Sequence, residues 1–189
     1  MAMNLMHRVW CSSNAWARSL DRSLLPWALA DVELGDNTLE IGPGYGANLR
    51  VLVDKTRQLT AVEIDAAMAE RLRGKYGERT RIIHGDGSDT GLPAEDFSSV
   101  VCFTMLHHVP TPALQDQLFA EAYRVLQSGG VFAGSDGVPS IPFTIAHFRD
   151  TCNPVQPETL PDRLRAAGFT DAHVDIKGGE QRWRAVKAV

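Results

Sequence analysis

The chain has 189 residues, 44% of them hydrophobic and 22% charged, and a formal net charge of -4, which suits one globular domain with a sizeable core. The acidic balance argues against a broad phosphate-tracking surface and hence against a nucleic-acid partner; Cys11, Cys102 and Cys152 lie far apart with no C-x-x-C pair, which excludes a disulfide framework and fits a reducing cytoplasm. No apolar run approaches the roughly 18 residues of a membrane span, and Met1–Ser13 lacks the apolar stretch of a signal peptide, so a cytoplasmic location and no membrane partner are expected.

Residues 1–36 read as an N-terminal helical extension and 37–189 as the main domain. Trp16, Leu20, Leu24 and Trp27 recur at helical spacing with Arg18, Asp21 and Arg22 between them. An amphipathic helix broken near Pro26 is expected there. It either covers the edge of the core or acts as a flap with Trp10 or Trp16 facing a pocket. After the turn cluster Gly35-Asp36-Asn37 the elements alternate: strands at 38–41, 59–64, 80–84, 99–104 and 131–135, helices at 47–55, 66–76 and 113–126. Strand 99–104 is almost wholly apolar, as when both faces are covered, and Gly129-Gly130 reads as a helix C-cap. This order predicts a parallel sheet with helices on both sides. Residues 136–156 read as a long irregular loop of the kind that is usually functional. A helix at 157–167 follows, then a hairpin of 172–177 and 182–187 around a glycine turn.

The segment from Thr38 to Leu49 runs from a strand through Gly42, Gly44 and Gly46 into a helical pattern. Glycines are needed where backbone turns sharply and approaches a ligand closely, so a nucleotide-type cofactor site is expected. Gly42-x-Gly44-x-x-Ala47 fits the dinucleotide fingerprint, and Glu63 stands about twenty residues on, where that fingerprint expects an acid. Glu40, two residues before the first glycine, separates the readings. A carboxylate buried near a ligand needs a partner charge, which a cationic cofactor provides and a pyrophosphate does not.

Glu40-x-Gly42-x-Gly44-x-Gly46 resembles the first motif of class I S-adenosylmethionine-dependent methyltransferases, and residues 38–135 resemble that family throughout. The resemblance implies a Rossmann-like fold: a mostly parallel seven-stranded sheet with an antiparallel C-terminal hairpin strand and helices on both faces. It also implies S-adenosylmethionine as cofactor and S-adenosylhomocysteine as product. Glu40, Gly42, Pro43, Gly44 and Gly46 would line the methionyl and ribose parts, Glu63 with Ile64 the ribose, Asp86 and Gly87 the adenine. Thr104 would lie beside the methyl group. Asp65 competes with Glu63 but reads better as an N-cap. Ser98 stands where the family often has Asp, a departure that bears on packing.

The segment Leu106-His107-His108-Val109 resembles the small-molecule branch that includes ubiquinone and menaquinone biosynthesis enzymes, and the "NPPY" segment of amino-methylating enzymes is absent. A small-molecule acceptor is therefore expected. His108 or His107 would act as the base for a hydroxyl acceptor, or else shape the pocket. His147 and Arg149 are candidate substrate ligands. No metal is expected, since nothing has a metal-ligand spacing. Two alternatives stay open: a module that binds the cofactor without turnover, and an NAD(P)-dependent oxidoreductase. The second lacks a Tyr-x-x-x-Lys dyad, because Tyr45, Tyr76 and Tyr123 have no lysine four residues later. A monomer or homodimer is expected, with the N-terminal helix or a second copy as cover over an open pocket.

Overall fold

The computed structural model describes Val9 and residues 11–189; Trp10, the alternative to Trp16 on the flap reading, lies outside the described residues. Seven strands form one sheet: β1 (Asn37–Ile41), β2 (Gln58–Glu63), β3 (Arg81–His84), β4 (Phe97–Phe103), β5 (Leu126–Gly137), β6 (Thr170–Lys177) and β7 (Glu180–Val186). Their order is β3-β2-β1-β4-β5-β7-β6. The first five pair in parallel, and β7 runs antiparallel to both β5 and β6. The expected sheet with its closing hairpin is thus present.

Strand alternation explains the continuous apolar run of β4. Val100 and Cys102 enter one core cluster with Phe119, Phe132 and Trp183, while Val101 and Phe103 enter a second with Leu20, Leu49 and Leu72. Period-two side chains feed both faces of a buried strand. In β1, Leu39 and Ile41 point to the first cluster, which turns Glu40 to the opposite face.

The hairpin turn is Gly178-Gly179, with φ of +62° and +86°, the doubly positive geometry that two-residue turns with right-handed twist require. Asp65 caps helix Ala66–Tyr76, its Oδ1 accepting from Met68 N at 2.9 Å, as expected. Ser98 also acts as read: its Oγ lies 2.7 Å from Leu34 O and 2.8 Å from Asn37 O, and accepts from Asn37 N at 3.0 Å. It pins the start of β4 to the turn before β1.

Four local expectations differ. The helix does not break at Pro26: Asn14–Ser19, a π-helical turn Leu20–Leu24 and Leu25–Ala28 run on continuously. Leu25 N bonds Leu20 O five residues back. The wider turn makes room for the proline ring, which clashes with the carbonyl four residues before it in an α-helix. The helix after β1 is one turn, Leu49–Leu52, and Asn48 gives its N-terminus no side-chain cap because the Asn48 amide bonds Glu40 instead. Gly129-Gly130 does not cap a helix. Helix Pro112–Val125 ends at Leu126, and the glycines lie inside β5, where Gly129 N donates to Lys187 O and Lys187 N to Gly130 O at 2.8 and 2.9 Å. Within 136–156, β5 extends to Gly137 and a helix spans Ile141–Ala146, capped by Ser140, whose Oγ accepts from Phe143 N. No helix among the described residues is long and apolar enough to cross a membrane.

Candidate active site

A cavity of about 850 Å³ lies along the carboxyl ends of the strands, from the β2 end past β1 and β4 to β5 and β7. Its size falls within the roughly 300–1,000 Å³ of small-molecule and cofactor sites. Gly42, Pro43, Gly44 and Glu63 line one end, and Thr104, His107, His108, Asp136 and Glu180 the other. Trp16 and Leu20 of the N-terminal helix and Phe143 and His147 of the 141–147 segment also face it.

Gly44 has φ +53° and, among the described residues, nothing within 4 Å of where a Cβ would stand. That glycine is demanded by backbone geometry and leaves an open face toward the cavity. Gly46 is different: a Cβ there would meet Leu72 Cδ2 at 2.6 Å and Tyr76 Cε2 at 2.8 Å. Its role is to let the loop settle on helix Ala66–Tyr76, whose Tyr76 hydroxyl donates to Gly46 O at 2.9 Å.

Glu63 is 4% exposed and braces the loop. Its Oε2 accepts from Gly44 N and its Oε1 from Asp65 N, both at 3.0 Å. Each oxygen keeps a lone pair for a further donor. Glu40 lies beneath the loop, fully buried and off the cavity wall. Its Oε1 accepts from Asn48 Nδ2 at 2.9 Å, whereas Oε2 and Asn48 Oδ1 are buried without partners among the described residues. Burial, opposed by the Asn48 bond and reinforced by nearby Glu63, pushes the Glu40 carboxyl up to about 8.

Ile64 stands 48% exposed at the β2 end, and Asp86 is exposed with Oδ1 accepting from Ser88 N and Oγ at 2.8 Å each. A Cβ on Gly87 would lie 2.3 Å from Ile41 Cγ2. None of these three lines the cavity.

Thr104 follows β4 with φ +51°, its N donating to Ser135 O at 2.7 Å. A β-branched residue in the left-handed region carries strain, of order 1–3 kcal/mol, and such strain gathers at functional sites. His107 and His108 sit on the 3-10 turn Leu106–His108, 3% and 7% exposed. His107 Nδ1 lies 2.5 Å from Asp136 Oδ1, and its backbone N donates to Oδ2 at 2.9 Å. Gly137 N also donates to Oδ1, at 2.8 Å. Burial opposes the Asp136 charge, but His107 and these donors outweigh it and hold the carboxyl below the usual range. On the adjacent strand β7, burial and the neighbouring Asp136 push Glu180 up to about 7.

The structure therefore gathers Gly42, Pro43, Gly44, Glu63, Thr104, His107 and His108 on one cavity. Asp136, which opens the 136–156 segment, and Glu180 are not singled out as site residues by the sequence, and His147 is a buried member of a histidine group. Asp136 carried one signal, its place just after an apolar strand.

A family model described as a methyltransferase domain matches residues 39–134, just over half of the chain. A probable S-adenosylmethionine-dependent methyltransferase of Mycolicibacterium smegmatis is 32% identical over 141 residues, 71% of this chain and 52% of that protein. Ribosomal RNA small subunit methyltransferase A of Corynebacterium diphtheriae is 30% identical over 106 residues, 51% of this chain and 36% of that protein. The chain thus spans at most about half the length of these two relatives. The crystal structure of the PH0226 protein from Pyrococcus horikoshii OT3 superposes with a TM-score of 0.82 over 98% of this chain and all of that one, at 18% identity, which speaks to the fold alone. With the glycine loop, the strand order and the family match in agreement, the chain belongs to the methyltransferase-domain family.

Proposed function

We propose that this chain transfers a methyl group from S-adenosylmethionine to a small-molecule acceptor, in the manner of the ubiquinone and menaquinone branch. One observation carries the reading: the glycine loop with Glu63 and the strained Thr104 with the His107–Asp136 pair line a single cavity. The residues suit the cofactor. Gly44 leaves an open face for it, and Glu63 has acceptor capacity left for two ribose hydroxyls. Asp86, outside the cavity lining, would accept from the adenine amino group through Oδ2, its Oδ1 being held by Ser88. Bound there, the cofactor supplies a methyl group made electrophilic by its sulfonium.

The chain's own residues then do the rest. The Gly42–Gly44 backbone and Glu63 fix one reactant, which leaves alignment as the main catalytic contribution. Asp136 accepts from His107 Nδ1 and so leaves the Nε2 lone pair to take a proton from a hydroxyl acceptor. This favours His107 over His108 as the base, since His108 Nδ1 meets a backbone carbonyl, Thr151 O, at 3.1 Å and not a carboxylate. Trp16 and Phe143 on the cavity wall suit a lid that excludes water.

A second reading takes ribosomal RNA as acceptor, on the strength of the Corynebacterium relative's name. The net charge of -4 and the missing "NPPY" segment weigh against it. Parallel calorimetric titration with S-adenosylmethionine, S-adenosylhomocysteine, NAD⁺ and NADPH tests the cofactor. Binding of the first two alone is expected, and binding of a nicotinamide nucleotide instead overturns the proposal. Methyl transfer to small-subunit ribosomal RNA, with none to quinol, phenol or amine acceptors, would shift the acceptor to the second reading.

A further inference from the structure

His107, His108 and His147 are all buried, and a ring nitrogen from each lies within 4.8 Å of the others. Their ring centroids are 4.0 Å (His107–His108), 4.6 Å (His107–His147) and 5.7 Å (His108–His147) apart. Three imidazoles so close need a reason, because protonating more than one would bury repelling charges.

Their hydrogen bonds set the tautomers. Nδ1 of His107 faces Asp136 Oδ1 at 2.5 Å, Nδ1 of His108 faces Thr151 O at 3.1 Å, and Nδ1 of His147 faces Phe143 O at 2.8 Å. A carbonyl or an ionised carboxylate only accepts, so each Nδ1 carries its proton. In the neutral ring the lone pair is then on Nε2, in all three. His107 Nε2 is buried with no hydrogen-bond partner among the described residues. An imidazole whose Nδ1–H is held by a carboxylate or a backbone carbonyl is the arrangement that orients a metal-binding histidine and raises its basicity.

We propose that His107, His108 and His147 form a three-imidazole site for a divalent transition metal of the zinc type, open to the cavity at its fourth position. Imidazole nitrogens suit Zn²⁺, Co²⁺, Ni²⁺ or Cu²⁺ and not Mg²⁺ or Ca²⁺. Zinc bonds of about 2.0–2.1 Å in a tetrahedron require the three nitrogens to draw in from the present spacing. His147 is placed to do so, since it follows the end of helix Ile141–Ala146 and lies outside the sheet. All three residues line the cavity, so the fourth ligand would come from there. On the methyl-transfer reading, that ligand is the acceptor's own hydroxyl or thiol, and the metal replaces His107 as the group that favours its ionised form. The metal site itself stands on the imidazoles and is independent of that reading.

The test uses the full chain, stripped with chelator and dialysed, titrated with Zn²⁺ by calorimetry and with Co²⁺ by visible absorption. One equivalent of either metal is expected to bind, Co²⁺ with the intense visible bands of a four-coordinate site. His147→Ala and Asp136→Asn should weaken Zn²⁺ at least tenfold, and His107→Ala/His147→Ala should abolish stoichiometric uptake. Circular dichroism and the affinity for S-adenosylhomocysteine serve as folding controls. No uptake by the unsubstituted protein overturns the proposal, a result that needs no variant. So does uptake that persists in the folded double variant, which would place the metal elsewhere. Failure to bind S-adenosylhomocysteine alongside normal zinc uptake would remove the cofactor reading and leave the metal site standing.

Discussion

Replacing Glu40 by glutamine should make the protein more stable above neutral pH and remove part of its pH dependence. The carboxyl is fully buried, with one oxygen on Asn48 Nδ2 while the other oxygen and Asn48 Oδ1 both lack partners among the described residues. Two acceptors without a donor are satisfied together by one proton: Oε2–H then donates to Oδ1 and closes an acid–amide ring. In Glu40→Gln the new amide would supply that donor permanently through its Nε2. The native carboxyl is pushed up to about 8 from an ordinary 4.5, so between these values the folded state holds a proton that the unfolded state has released. Stability from this group is therefore complete below about pH 4.5, declines through the window and is lost above about 8. At about 1.4 kcal/mol per pH unit, the total is at most about 5 kcal/mol. Urea unfolding of the apo protein at pH 5, 7 and 9 reads this as the difference between the variant and the parent, in which Glu180 and the cysteines cancel. The gap should be near zero at pH 5 and several kcal/mol in favour of Glu40→Gln at pH 9. A gap that stays constant across the three pH values would refute the neutral-acid account of Glu40.

Other substitutions test the remaining contacts. Glu63→Ala should weaken S-adenosylmethionine by about 1–3 kcal/mol, the scale of lost bonds to a charged group, with calorimetry as readout; unchanged affinity would remove Glu63 from the site. Gly46→Ala combines φ +76° with a Cβ 2.6 Å from Leu72 Cδ2 and should cost about 2–5 kcal/mol in urea unfolding. Gly44→Ala, with φ +53° and open space at its Cβ, should cost only about 1–2 kcal/mol yet lower S-adenosylhomocysteine affinity by more than tenfold. Asp136→Asn sets one N–H against another whichever way the amide turns, because both oxygens accept from His107. A loss of about 1–3 kcal/mol is expected, and an unchanged urea midpoint would contradict it.

What could be read from the chain and what could not divides along the cavity. The end that would hold the cofactor on the proposed reading is local in sequence: Glu40, the glycines, Glu63 and Asp65 fall within twenty-six residues, and each has a stereochemical reason visible in the residue type. A glycine marks positive φ, and an aspartate before a helix marks a cap. The sheet was legible for the same reason, since period-two and period-3.6 patterns are local. Misread boundaries came where a side chain or a strand served a distant partner. Asn48 bonds Glu40 in place of capping its helix, and Gly129-Gly130 pairs with Lys187 in place of ending one.

The proposed acceptor end has no such local signature. Its groups arrive from the end of β4, the end of β5, the segment 143–151 and the start of β7, and they meet only because the order β4-β5-β7 puts those termini side by side. His107 meets Asp136 across 29 residues and His108 meets Thr151 O across 43; neither separation is a spacing that a pattern can encode. The same logic explains the chemistry. A methyl donor common to the family can be held by a contiguous loop, whereas acceptor choice needs a wall that changes without disturbing that loop. Separate chain segments provide such a wall, and the segment that brings His147, with Ile141, Ile145 and Phe148 exposed on its outer side, is the one least constrained by the sheet. On the proposed methyl-transfer reading, acceptor specificity would lie in 136–151 together with the histidine turn, and exchanging that segment should change the acceptor while leaving S-adenosylhomocysteine affinity within a few-fold.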